Sequence, residues 1–289
     1  MRVFVISKKT LLAVLAAVFA LIAAILIAAL SGGGEKADKP NTGDTGDRSE
    51  IAENHDGLKI NEPEQYELEV MAGLMKEVPV YSVRRNDRKI ALTIDAAWQD
   101  DKTPFILSTL KKYGIKATFF LCGFWVRDYP DMVKEIARQG HEIGNHSMTH
   151  PHMSRLTANG IESELKEFEA LITPIIGERT RLFRAPFGEY NDTVVNTVRQ
   201  NGYEIIQWDA DTIDWKEERS AQTILDTVLS KLHGGAIILA HNNGYRIEQY
   251  LPALIESALA EGYEFVTVSE LLLGGNTIVD VNGVQKPAD

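Results

Sequence analysis

The sequence predicts a mostly parallel α/β fold closing toward a barrel, and two observations carry that expectation. From Lys89 onward, strand-like apolar runs alternate with helix-like segments, the rhythm that builds a parallel sheet with helices outside it. Polar residues with reactive side chains fall just past the C-terminal ends of those runs, where barrels of this kind carry their sites.

The chain begins with a different signal. Leu11 to Leu30 is an unbroken apolar run, long enough at about 1.5 Å per residue to span a hydrocarbon core of roughly 30 Å. It exceeds the roughly 7–15 apolar residues usual in a signal peptide. Arg2, Lys8 and Lys9 precede it and Glu35 and Asp38 follow, a bias that keeps the N-terminus in the cytoplasm. The expectation is a cytoplasmic tip and one transmembrane helix over residues 1–30, with a cell-membrane location and the remainder extracytoplasmic. Cleavage near Ala29-Leu30-Ser31 is the alternative. Residues 31–57, rich in Gly, Asp, Pro, Asn and Thr, read as a flexible linker that buries too little to order itself. Residues 58–88 form a short mixed lead-in, 89–273 the alternating domain, and 274–289 a loose tail.

Within the domain each element has a local cause. Lys89–Asp95 is an apolar strand ending in an acid. Thr103–Tyr113 carries apolar residues at helical spacing and stops at Gly114, the residue type that tolerates the left-handed turn past a helix end. Strands follow at Lys116–Leu121 and His141–Gly144, with a helix over Pro130–Gln139 between them. A long amphipathic helix covers Ile161–Ile176, then come Leu182-Phe183 as a strand, Asp192–Gln200 as a helix and Tyr203–Trp208 as a fifth strand. Ser220 is a fitting N-cap for a helix to Leu232. Ala236–Ala240, a helix over Arg246–Glu261 and the short strand Phe265–Thr267 complete the series.

Composition narrows the partners. Beyond the three basic residues of the N-terminal tip there remain 27 positive and 41 negative side chains. That balance excludes nucleic acid as a partner, since phosphates need a basic face. The single cysteine, Cys122, allows no internal disulfide; flanked by apolar residues it reads as a buried thiol and not a nucleophile.

Four of the seven histidines, His141, His146, His150 and His152, fall between Gly140 and Met153. Neutral imidazole is a common metal ligand, and His146 and His150 at i, i+4 would share one face of a helical turn. Around them stand Asp95 after the first strand, Arg184 after the fourth, Asp211 and Asp214 after the fifth, and His241 after the sixth. Singly, Arg184 with Asp211 reads as a buried ion pair and His241 as a core histidine. Their regular placement at strand ends reads as one shared site.

Five short stretches occur in order: Thr93-Ile94-Asp95-Ala96, His146-Ser147-Met148-Thr149-His150, Arg184-Ala185-Pro186-Phe187, Asp211-Thr212-Ile213-Asp214-Trp215 and Leu239-Ala240-His241. Over about Lys89 to Leu273 the chain thus resembles the polysaccharide deacetylases of carbohydrate esterase family 4. The resemblance implies a distorted parallel (β/α) barrel that hydrolyses N-acetyl groups from amino sugars of a cell-wall glycan, peptidoglycan or chitin-like, releasing acetate. It implies a divalent metal of the zinc type on His146 and His150, Asp95 as base and His241 as acid. Arg184 would orient Asp95, and Asp211 or Asp214 would hold His241 charged. The Phe187 N–H would donate to the oxyanion, with Trp215 and Leu239 forming the slot for the acetyl methyl.

One position departs from the family. Its first motif has two adjacent acids, base then metal ligand, and here the second is Ala96. The run Asp95-Ala96-Ala97-Trp98 resembles a sporulation-associated Gram-positive subgroup. Three outcomes are open: Asp100 or Asp101 reaches in, water fills the position, or metal is held weakly or not at all. A catalytically weak or inactive glycan-binding relative is therefore the alternative function. A metallopeptidase is disfavoured, since no His-Glu-x-x-His occurs.

Overall fold

The computed structural model describes residues 78–288. The predicted membrane anchor, the linker and most of the lead-in lie outside the described residues. Among the described residues, no helix is long and apolar enough to cross a membrane.

The architecture is built on β2 (Lys89–Ala96), whose nearly continuous apolar sequence suits a strand covered on both faces. Ile90, Leu92, Ile94 and Ala96 pack into the main core cluster, while Ala91 joins a second cluster on the inner side. Strand β2 pairs in parallel with β3 (Thr118–Leu121), β8 (Ile237–His241) and, at its N-terminal end, β9 (Glu264–Val266). The sheet continues through β4 (Glu142–Asn145), β5 (Leu182–Phe183) and β6 (Glu204–Ile205) on one side, and β7 (Ala210–Asp211) beyond β8 on the other. Its order is β6-β5-β4-β3-β2-β8-β7.

The two edges of this sheet are joined by only residues 206–209, which span at most about 14 Å when extended. Along this link Ile206 N–H donates to Phe183 and Asp209 N–H to Ile237, so the sheet curls until its edges nearly meet. The expected fifth strand over Tyr203–Trp208 is thus shortened to β6, and a separate strand, β7, follows it on the opposite edge. Asp209 explains the break: its carboxylate accepts the backbone N–H of Ile237 at 2.9 Å, drawing the chain onto the far edge.

The helices follow their local signals. They are α1 (Thr103–Tyr113), α2 (Gly123–Asp128), α3 (Pro130–Arg138), α4 (Ala158–Ile176), α5 (Asp192–Gln200), α6 (Ala221–Leu229), α7 (Ile247–Ala260) and α8 (Val268–Leu271). Gly114 ends α1 in the left-handed conformation at φ 66°, donating its N–H to Leu110 and Lys111. Thr157 and Ser220 cap α4 and α6 through their side chains.

The C-terminal residues are not a loose tail. β10 (Thr277–Val279) and β11 (Val284–Pro287) form an antiparallel hairpin, and β11 pairs in parallel with β1 (Ser82–Val83) of the lead-in. The turn between them uses Gly283 at φ 77°, and the Asp280 carboxylate accepts the N–H groups of Asn282 and Val284 at 3.0 and 3.1 Å. Asn282-Gly283 is a strong hairpin dipeptide, a local signal for the turn that replaces the expected tail.

Candidate active site

At the C-terminal ends of the strands lies a cleft of about 500 Å³, lined by Asp95, His146, His150, Phe187, Asp211, Trp215, Leu239 and His241 among others. The structure therefore brings together most of the residues expected from the sequence. Arg184 lies beneath, wholly buried, and does not line the cleft itself.

One wall is organised by Arg184. Its Nη1 donates to Asp95 Oδ1 and to Thr93 Oγ1, both at 2.7 Å, and its Nη2 donates to the Gln207 carbonyl at 3.0 Å. Arg184 pairs with Asp95, so the ion pair with Asp211 considered from sequence does not form. Burial acts to raise the Asp95 carboxyl, but the charge and hydrogen bond of Arg184, helped by His241, outweigh it and hold it below the usual carboxylate range. Asp95 is thereby kept as a carboxylate.

The facing wall is organised by Asp214, the acid that sequence reasoning left undecided against Asp211. Asp214 Oδ1 lies 2.7 Å from His241 Nδ1, and Oδ2 accepts the Tyr250 hydroxyl at 2.5 Å. A Cβ at position 244 would meet Asp214 Oδ2 at 1.9 Å, so Gly244 is required for the carboxylate to sit here. Burial works to lower the His241 pKa; the hydrogen bond and charge of Asp214, helped by Asp95 and Asp211, outweigh it and raise it. Asp211 lines the cleft but serves its own loop, accepting Trp208 Nε1–H at 3.1 Å and Ile213 N–H at 2.7 Å.

His146 and His150 are not on a helical turn. They lie in a loop after β4, with Ser147 and His150 at φ 68° and 57°. Polar side chains capture the backbone donors that a helix would need. Asn145 Oδ1 accepts Ser147 N–H at 2.7 Å, Ser147 Oγ accepts His150 N–H at 2.9 Å, and Glu164 of α4 accepts the N–H groups of Met148 and Thr149 at 2.8 Å. The loop still brings the two imidazoles edge to face, with centroids 5.0 Å apart. Burial holds both neutral, pushing His150 down to about 4. The other two histidines of the cluster are elsewhere. His141 is buried against Phe119, and His152 stacks on Phe187 at the rim and pairs with Glu189.

The donor set falls short of the metal centre that the sequence resemblance implies. Catalytic zinc sites usually have three protein ligands. Among the described residues no group of three or more His, Cys, Asp or Glu side chains is placed to hold a metal ion. Ala96 is fully buried in the apolar layer with Ala97, Leu121 and Cys122. Neither Asp100 nor Asp101 lines the cleft, which speaks against the first of the three open outcomes.

Phe187 occupies a left-handed conformation, φ 61° and ψ 5°, which a non-glycine residue adopts at a cost. Phe187 lines the cleft. Sequence reasoning missed Trp98, Trp208 and Tyr250. Trp98 is half exposed, lines the cleft and packs edge-on to His150 with centroids 4.8 Å apart. An aromatic residue directly after a strand end was the available signal for it. Tyr250 lies inside α7 and reads there as plain core.

Comparison with known proteins adds to this geometry. The polysaccharide deacetylase sequence profile matches residues 82–206. A peptidoglycan-N-acetylglucosamine deacetylase of Bacillus cereus is 35% identical over 197 residues, spanning 66% of this chain and 92% of that protein. The chain belongs to the polysaccharide deacetylase family. The uncharacterized protein YlxY of Bacillus subtilis is 34% identical over 238 residues, covering 75% of this chain and 74% of YlxY. Among solved structures, wild-type BA3943 of Bacillus anthracis, described as a CE4 family pseudoenzyme, is 34% identical with a TM-score of 0.65, covering 68% of this chain and 69% of that one. A BA3943 mutant with restored enzymatic activity is similar to the same degree, at 35% identity and a TM-score of 0.65.

Proposed function

We propose that the chain removes N-acetyl groups from amino sugars of a cell-wall glycan, releasing acetate, with a complete acid–base pair and an incomplete metal site. The observation that carries this reading is the pairing of Asp95 with Arg184 and of His241 with Asp214 at one cleft. An acetamide is a weak electrophile with a poor leaving group, so its hydrolysis needs a base, an oxyanion donor and an acid. Asp95, ionised and oriented by Arg184, takes the proton of the attacking water. The Phe187 N–H donates to the oxyanion, and His241, kept protonated by Asp214, delivers a proton to the departing nitrogen. Trp215 and Leu239, both at the cleft, form the slot for the methyl group.

His146 and His150 supply two donors where a hydrolytic metal ion usually has three. This shortfall, with the likeness to BA3943, supports a second reading: a glycan-binding relative with little or no turnover. Acetate release from defined oligomers of N-acetylglucosamine and N-acetylmuramic acid, with and without added Zn²⁺, separates the two. On the first reading Asp95→Asn and His241→Ala each reduce release by about 10²–10⁴-fold with the fold intact. Release unchanged in either variant contradicts the assigned role, and none from wild type under any condition favours the binder.

We place the domain outside the cytoplasm, tethered by residues 11–30, on the apolar length and basic flank of that run. Recovery of the native protein from the medium with an N-terminus near Ser31 contradicts the tether.

A further inference from the structure

Three exposed aromatic rings line the cleft: Trp98, Phe187 and Trp215, at 52%, 57% and 57% exposure. Two of them already have a partner over the ring. His152 stacks on Phe187 at an interplanar angle of 19°, and the Lys216 ammonium lies 5.0 Å from the Trp215 centroid. Trp98 differs. Its ring neighbours, Phe124 and His150, are inclined at 51° and 67°. Among the described residues no ring lies parallel to it and no cation sits over it.

The backbone beside Trp98 is enforced. Gln99 takes a left-handed φ of 58°, which in a non-glycine residue persists only where the surroundings over-determine it. Two buried side chains do so: Trp125 Nε1–H and the Asn242 amide donate to the Gln99 carbonyl at 2.6 and 2.5 Å. The same amide reaches the Trp98 carbonyl at 3.2 Å, and the Asn242 N–H donates to the Asp95 carbonyl at 2.9 Å. The turn is thus fastened to the end of β2, and it carries the indole out of the core. Singly exposed apolar residues are ordinary on a surface; the enforced turn and the place in the cleft set Trp98 apart.

We propose that Trp98 is the stacking platform for a second sugar, next to the one whose acetamide lies between Asp95 and His241. The proposal rests on the glycan reading of the cleft and adds a chain-length requirement to it. Depth separates the two positions. Asp95 and His241 are register partners on β2 and β8, and Asp95 is buried, so the reacting group sits on the floor. Trp98 stands outward of that floor beside His150, half exposed, where the next ring of a glycan chain lies. A pyranose suits this place. One face of such a ring carries C–H groups that are apolar and slightly positive, matching the negative face of an indole, while its hydroxyls stay in water.

The test is a calorimetric titration of the full-length protein with N-acetylglucosamine tetramer and with the monomer. Trp98→Ala should weaken tetramer binding at least about tenfold and leave the monomer unchanged, as truncation of an aromatic anchor does. Trp98→Phe, which keeps a ring, should retain most of the tetramer affinity. Trp98→Leu, which keeps apolar bulk without a ring, should behave like Trp98→Ala. Melting curves accompany each variant, and the Phe and Leu pair carries the test if the alanine variant fails to fold. Unchanged tetramer affinity in Trp98→Ala, an equal loss for monomer and tetramer, equal affinity in the Leu and Phe variants, or no tetramer binding to wild type would each overturn the proposal. Acetate release is followed in parallel. Release with tetramer affinity unchanged in Trp98→Ala overturns this inference and leaves the deacetylase reading standing; weakened tetramer binding without release from wild type does the reverse.

Discussion

Asp214 holds His241 through both of its oxygens: Oδ1 meets the imidazole Nδ1 at 2.7 Å, and Oδ2 accepts the backbone N–H of the same residue at 3.1 Å. The ring cannot turn without breaking the first of these bonds, and its proton-bearing state is fixed by the carboxylate. His241 is thus positioned, and its pKa raised, by one buried acid.

Asp214→Asn tests that coupling. Burial alone lowers the His241 pKa, and Asp214 is the main group raising it. Without the negative charge His241 loses its proton at lower pH, so the alkaline limb of the activity profile moves toward acid. The loss at pH 7 should exceed the loss at pH 5.5. An alkaline limb that stays in place contradicts the assignment of His241 as acid.

His141 makes a different pH prediction, on stability. Burial, with a smaller effect of Lys116, pushes its pKa down to about 4 from an ordinary 6.5. The unfolded chain takes up this proton first as pH falls, so His141 contributes stability that is complete above about pH 6.5 and is lost toward pH 4. Melting temperature should decline across that window. His141→Phe, which keeps a ring against Phe119, should flatten the decline only in part, because His150 is shifted in the same direction. An unchanged slope contradicts the contribution of His141.

Much of the fold and of the site was legible in the sequence where local physics decides. Gly114 after α1, Ser220 before α6 and the apolar run of β2 each act within a few residues. Asp95, Arg184 and His241 were legible because parallel strands deliver their ends to one place. What escaped depends on partners distant in sequence. Asp209 draws the chain after β6 onto the far edge by binding Ile237, and β11 is ordered by pairing with β1 some two hundred residues earlier. The His146–His150 loop looked helical by spacing, but Asn145, Ser147 and Glu164 take its backbone donors. The choice of Asp214 over Asp211 follows from Gly244, whose missing side chain makes the room, and nothing near either acid reveals that.

At position 96 the chain carries a buried methyl where the family resemblance implies a carboxylate. Calorimetric titration of Zn²⁺ into metal-free wild type and Ala96→Asp, with melting curves of each, tests that difference most directly. A carboxylate placed in this apolar layer without a cation should destabilise the metal-free variant by about 1–3 kcal/mol. Bound zinc should then return that stability, since a ligand of the folded state stabilises it in proportion to its affinity. The prediction is weak or undetectable zinc binding in wild type and at least about tenfold tighter binding in Ala96→Asp, accompanied by a rise in melting temperature. Equal zinc affinity in the two proteins, with no recovery of stability in the variant, would contradict the account.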